Sequence, residues 1–507
     1  MLWFALPAFA TDWVVDPSGG GDYLTIEQGI DRAASGDTLL VKPGVYPERL
    51  ILRGKDLTLR STDGPEVTTI RDGWQNSLIL VDGADAVVEG FDITSADIKH
   101  CVRVRVGSVT LRDDVIHGCD AYDGLGGGLR TDVGTSAFVD GCRFYDNRAH
   151  FTIGARAPHI YARGDRLEVR NSTFSGGESE GDCGGVMVIG GDNVIEDNWF
   201  EGNAAADDGG AFYADGRPTV FPDGTANDGT QSLVLARNTF VGNVAADRGG
   251  AMFLIGMPQY DIRENVICGN TSADRGGGVY VESWPADGTF AYNVVQENVS
   301  EAGQGGGVFA LNGVPALVHN DFLGNTGGER GGALAYKDAA LTFRHNLVAW
   351  TRTGDGVWAQ FGVTVDDWDY DAWWSNLAAD VAGVLQPGAH DVFADPLLPG
   401  VSLDGDCTND DWARAPGSPL VDGGDPAEPD PDGSPADLGA FGAFPPPTGT
   451  TGPSETAPGT SGTSGTTPGT GGPGGDGAGC GCETAAPGGW LLGLLGLLGY
   501  GVRRGAR

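Results

Sequence analysis

Positive charge is scarce in this chain of 507 residues: 31 basic residues against 69 acidic ones leave a net charge of −38. A surface of that sign repels phosphate backbones, which excludes a nucleic-acid partner. Lysine is nearly missing, with only Lys42, Lys55, Lys99 and Lys337; this is a compositional habit and carries no further weight. Long apolar runs are missing too. The longest, residues 490–502, has thirteen apolar or Gly residues, short of the roughly 20 that a membrane-crossing helix needs. No Cys-x-x-C pair with a His companion occurs among the eight cysteines, which speaks against zinc. In an exported chain their even number permits disulfides, and the spacing leaves the pairing open. Glycine is abundant, 86 residues, but follows no Gly-X-Y period, so collagen is excluded. With 40% apolar residues the chain can fill a core, which excludes wholesale disorder.

What is present is a repeat. Asn198-Trp-Phe200-Glu-Gly-Asn203 returns as Asn238-Thr-Phe240-Val-Gly-Asn243 and Asn265-Val-Ile267-Cys-Gly-Asn270, then as Asn293-Val-Val295-Gln-Glu-Asn298 and Asn320-Asp-Phe322-Leu-Gly-Asn325. After each comes a glycine pair: Gly209-Gly210, Gly249-Gly250, Gly276-Gly277, Gly305-Gly306 and Gly331-Gly332. The first asparagines are 40, 27, 28 and 27 residues apart, the long interval holding a Pro/Asp/Gly-rich insert over residues 217–230. Weaker copies surround Phe144, Phe174 and Val348. Between the asparagines, apolar residues alternate over three to five positions, as in Val279-Tyr-Val281, which predicts short strands and not helices. A period of 26–28 residues with about three such strands predicts one coil of a parallel β-helix, stacked about 4.8 Å from the next. Asn should take the left-handed bends between strands and bond its amide to the Asn of the neighbouring coil. The glycine pairs suit sharp turns with no room for a side chain. Most repeated residues therefore build the scaffold.

The N-terminal run Leu24-Thr-Ile26-Glu-Gln-Gly-Ile30-Asp-Arg-Ala33 has helical spacing and then gives way, at Gly36-Asp-Thr and Gly44-Val-Tyr46-Pro-Glu48, to strands and turns. A helix there would cover the open end of the solenoid. This stretch resembles the entry segment of the right-handed β-helix (pectin-lyase-like) superfamily. The Phe-x-x-Asn and Gly-Gly-Ala repeats resemble those of polymorphic outer-membrane proteins, which implies an adhesive role. Residues 416–441 resemble the terminal cap of surface-anchored bacterial β-helix proteins. The expected fold is all-β, a right-handed parallel β-helix solenoid with an N-terminal capping helix, a disordered linker and a short C-terminal hydrophobic helix. It divides into a signal segment (1–10), cap and first strands (11–56), repeats (57–400), C-terminal cap (401–444), Pro/Gly/Thr/Ser linker (445–479) and anchor tail (480–507). The scaffold hosts lyases, hydrolases, esterases, epimerases and adhesins, so these resemblances speak for fold more than for activity.

The ends suggest export. Residues 2–10 form an apolar run closing on Ala8-Phe9-Ala10, a small-x-small cleavage pattern without the usual basic start. The tail sets Cys480 and Cys482 before the apolar run and closes on Arg503, Arg504 and Arg507. That order resembles bacterial C-terminal sorting tags of the myxobacterial type, which implies handling by sorting machinery, an anchor near the cysteines and a place on the cell surface or outer membrane.

Three groups of side chains could carry chemistry. Residues 150–166 gather His150, Arg156, His159 and Arg163 in an otherwise acidic chain; as base and cations they could serve a lyase acting on an acidic polysaccharide. Trp358, Trp368, Tyr370, Trp373 and Trp374, interleaved with Asp366, Asp367, Asp369 and Asp371, suit stacking on sugar rings, with plugging of the solenoid end as the plainer role. Asp404, Asp406 and Asp410, with Asp430 and Asp432, have the alternating oxygens of Ca2+ loops, without the full spacing of an EF-hand. Known polygalacturonase and pectin methylesterase patterns are not matched. The sequence thus favours a surface-anchored protein that binds a glycan or another cell-surface ligand without catalysis, with a polysaccharide lyase or glycoside hydrolase as the alternative.

Overall fold

The computed structural model describes residues 10–440 except 72–76, 96–99, 151–153, 221–223, 228, 230, 285–287, 314–315, 361 and 431–432. The expected signal segment, linker and anchor tail, with Cys480 and Cys482, therefore lie outside the described residues, as does Asp432.

The chain winds into a parallel β-solenoid of about thirteen turns. Each turn contributes one strand to a 13-stranded middle sheet and up to two to a long sheet of 24 strands, and eight turns add a two-residue strand to a narrow sheet. One turn shows the plan: Val186–Ile189 and Asp192–Glu196 in the long sheet, Trp199–Glu201 in the middle sheet, Ala204–Ala205 in the narrow sheet. Among the described residues the antiparallel strand pair is Thr219–Val220 with Ala226–Asn227, inside the insert.

Like residues stack on like because register is kept from turn to turn. Phe144, Phe174, Phe200, Phe240, Ile267, Val295, Phe322, Val348 and Trp373 succeed one another inside the middle sheet. The first four rings stack with centroids 5.1, 4.8 and 4.6 Å apart. Each fully buried ring contributes about 2–3 kcal/mol. Outside, Arg60, Glu89, Arg112, Asp140, Arg170 and Glu196 follow one another on the long sheet, so unlike charges face each other across strands.

Two buried asparagine ladders fix the corners. Asn198, Asn238, Asn265, Asn293, Asn320 and Asn346 form one, each Nδ2 donating to Oδ1 of the next at 2.9–3.1 Å. Asn203, Asn243, Asn270, Asn298 and Asn325 form the other. The left-handed bend expected at Asn falls one residue earlier. Asp197, Arg237, Glu264, Tyr292, His319 and His345 have φ of 55–60°, and the Asn itself is freed to aim its amide inward. The glycine pairs behave as the spacing implies. Gly276 has φ +66°, and a Cβ on Gly277 would sit 2.4 Å from the carbonyl oxygen of Gly306.

The N-terminal helix is Ile26–Arg32, capped by Thr25. Glu48 also caps it, accepting from the amides of Ile26 and Glu27 at 3.1 and 2.8 Å, so a residue of the Gly-Val-Tyr-Pro-Glu motif has a structural task here. Among the described residues, those from 393 on do not plug the end. From residue 393 the chain runs back over the outside of the middle sheet, passes Glu297 at Gly405 and is bonded to Cys268 through Cys407. It then returns past Gln296 (Trp412), Asp321 (Arg414) and His345 (Asp425). Beneath this strap, beside the polar Gln296 and Asp321, the outward residues Leu323, Leu347, Ala349 and Ala372 of the middle sheet pack on Leu398, Leu420 and Leu438. The second disulfide joins Cys101 and Cys119, and Cys142 and Cys183 are buried free thiols.

Candidate functional site

The first strand of each turn presents its middle residue outward, and register lines these residues up as Arg103, Arg130, Tyr161, Met187, Tyr213, Phe253, Tyr280, Phe309, Ala335 and Trp358. An outward position is ordinarily polar, yet here Tyr213, Phe253 and Tyr280 stack at 4.8 Å. Arginines from the turns ahead of the strands cover them: the Arg248 guanidinium lies 5.0 Å from the Phe253 and Tyr280 ring centres, and Arg275 5.2 Å from Phe309. Such cation–π contacts hold guanidinium planes flat along the face.

At the N-terminal end of this column three arginines converge on one carboxylate. Asp132 meets Arg103 at 2.6 Å, Arg130 at 3.3 Å and Arg163 at 3.6 Å, and Arg130 also reaches Asp123 at 3.3 Å. Further along, Arg156 pairs with Asp182 at 3.4 Å and Arg248 with Asp208 at 2.7 Å. Carboxylate oxygens of Asp182, Asp207 and Asp208 lie within 4.8 Å of one another. Burial pushes the Asp208 carboxyl up to about 7 despite Arg248, and raises Asp182 as well. The rings themselves are buried under this cover; what the face sets side by side is cations and a carboxyl group that holds a proton near neutrality.

The residues singled out in the sequence are scattered. Arg156 and Arg163 belong to this face. His150 pairs with Asp120 at 2.7 Å beside the narrow sheet. His159 is inside: Gly177 has no side chain to continue the second ladder, and the imidazole takes its place. Its Nδ1 lies 3.0 Å from Asn147 Nδ2 and its Nε2 3.0 Å from Asn203 Oδ1, so Nδ1 accepts and Nε2 donates. A Cβ on Gly177 would lie 2.6 Å from Nε2. Burial pushes this imidazole down to about 4. Because the folded-state value lies below the unfolded one, the stability His159 gives is complete above pH 6.5 and is lost as pH falls toward 4, up to about 3 kcal/mol. The expected result in urea titrations is that His159→Gln flattens part of the acid loss seen between pH 7 and 4.5; an unchanged pH slope counts against this assignment.

The tryptophan patch divides three ways. Trp368 and Trp373 close the core, stacked at 4.9 and 6.1 Å on Phe343. Tyr370 and Trp374 pack with the strap, and Trp358 is the last ring of the outward column, followed in register by Ala382. Among the acidic candidates, Asp406 caps a short 3-10 turn at Thr408, Asp404 accepts from the Asp406 amide, Asp410 binds Ser402 and Gln296, and Asp430 accepts from the Asp437 amide. The converging Asp182, Asp207 and Asp208 were not singled out. Their signal is the charged residue just before four of the five glycine pairs (Asp208, Arg248, Arg275, Arg330; Gln304 precedes the other), with an aromatic shortly after it.

Residues 66–243 match the family model described as a right handed beta helix region. No curated protein matches the chain.

Proposed function

We propose that this is an exported, cell-surface β-helix protein that binds an anionic glycan along the outward column of the long sheet, without catalysis. What carries the reading is the convergence of Arg103, Arg130 and Arg163 on Asp132 at one end of a face in a chain of net charge −38. A ligand carboxylate or sulfate can share these guanidinium groups with Asp132, and further charges follow turn by turn. The sorting-tag resemblance of the tail, with Cys480 and Cys482, supports a surface location. The test is retention of the full chain on immobilised polyuronate against a neutral glucan. The Arg103→Gln/Arg163→Gln pair is expected to weaken polyuronate binding about tenfold or more, most at low salt. Equal retention on both polymers counts against the proposal.

A second reading rests on Asp182, Asp207 and Asp208. Carboxyl groups this close, one of them protonated near neutrality, are the parts of a glycoside hydrolase. Incubation with acidic polysaccharides decides it: new reducing ends that disappear in Asp208→Asn support hydrolysis, and the absence of product leaves binding alone.

A further inference from the structure

Under the return limb of the strap, four turns carry a ring just before their ladder residue: Tyr292, His319, His345 and Tyr370, with φ of 55–58°. Tyr292 stacks on His319 at 4.8 Å, and His319 lies 4.7 Å from His345. The hydrogen bonds leave one proton arrangement. Nδ1 of His319 lies 3.1 Å from the carbonyl oxygen of Asp437, which can only accept, so Nδ1 donates. Nε2 of His319 is then a lone pair and takes the proton of His345 Nδ1 at 3.2 Å. That leaves Nε2 of His345 to accept the amide of Asp425 at 3.1 Å. Both rings are neutral in this chain, and a proton added to either sets N–H against N–H.

We infer that this histidine pair is an acid-sensitive clasp that frees the return limb of the strap, residues 416–440, while the Cys268–Cys407 bond keeps the outgoing limb in place. The groups facing the pair come from both sides. From the solenoid come Arg344, Asp367, Tyr292 and Tyr370, and behind Tyr370 the Asp369–His390 pair. From the strap come Asp425, Glu428, Asp430 and Asp437. Arg344, bound to Asp367, Asp425 and Glu428, opposes another positive charge, while Asp425 favours one. Burial dominates: it holds both imidazoles below their ordinary range, His345 down to about 4. The clasp is therefore fully closed above pH 6.5 and loosens as pH falls toward 4.

Hydrogen exchange on the full chain tests this. Between pH 7 and 4.5, after correction for intrinsic rates, amides of residues 418–440 should lose protection at least about tenfold, those of 395–412 little. In His319→Gln and His345→Gln the same pH step should cost less than about threefold. Equal losses in the variants, or full protection of wild type at pH 4.5, overturn the clasp. Imidazole nitrogen shifts at pH 7 check it without substitution: both rings should carry their proton on Nδ1, and Nε2–H on either overturns it.

Discussion

Asn270→Ala is expected to lower stability by about 4 kcal/mol or more, although it removes only one amide group from a solenoid of about thirteen turns. Asn270 is fully buried. Its Oδ1 accepts both the backbone amide and Nδ2 of Asn243 at 2.9 Å, and its Nδ2 donates to Phe240 O and Asn298 Oδ1 at 3.0 and 2.9 Å. Alanine leaves two donors of Asn243 without an acceptor where water cannot reach, at about 1–3 kcal/mol each, and the lost amide adds a void. Asn270→Asp separates the two halves of the bonding. It keeps the acceptor and turns the donor into an oxygen facing two oxygens, unless it is protonated. The variant's folded-state pKa is then raised, so its stability should approach wild type at low pH and fall as pH rises. The protein shows the tolerated form at the far end of the other ladder. There Asp371 accepts from Asn346 at 2.8 and 3.2 Å, and burial holds its carboxyl well above the usual carboxylate range. Denaturant unfolding at pH 4.5 and 7.5 measures both variants; a loss below about 1 kcal/mol for Asn270→Ala would mean that neighbouring turns, not the ladder, hold the corner.

Legibility in the sequence follows the range of the contacts. The coils could be read because one turn constrains the next at a fixed offset: 27 residues from Asn243 to Asn270, 28 from Asn270 to Asn298. Every local choice, Phe inward, Gly at the crowded turn, Asn at the corner, repeats with that offset. His159 could not be read this way. Its partner Asn203 is 44 residues away, and its task exists only because Gly177 interrupts a ladder. Basic residues in a cluster looked like a site, yet His159 is a replacement part of the core while Arg163 faces Asp132 outside. The aromatic column was visible in Tyr213, Phe253 and Tyr280, but reads as ordinary strand alternation until register shows that these side chains point outward. The strap was the least legible. Residues 401–444 read as an end cap, whereas Cys407 reaches Cys268 across 139 residues, and no periodic signal encodes such a return.

The strap also holds the second large expected effect. Arg414 and Asp321 meet at 2.8 Å with side chains 1% and 0% exposed. Asp321 also receives the amide of Ala440 at 3.1 Å, and Arg414 sends Nη1 to the carbonyl oxygen of Trp412 at 2.8 Å. In register Asp321 stands between Val294 and Leu347, so a carboxylate sits between apolar neighbours in the part of the row that the strap covers. Arg414→Met alone strands that charge in a dry interface and should cost about 3–5 kcal/mol. The loss should appear first in the strap, as chymotryptic cleavage at Trp412 or Leu420 and as hydrogen exchange there, while the turns before Cys268 stay protected. Asp321→Val combined with Arg414→Met removes both charges and makes that part of the row apolar, and should recover most of that loss, because a buried ion pair mainly offsets its own desolvation. If the double variant is no better than Arg414→Met, the pair contributes more than its own desolvation costs and the strap is held by charge. If it recovers, hydrophobic cover and the disulfide hold the strap, and the ion pair serves to fix the register at which it docks.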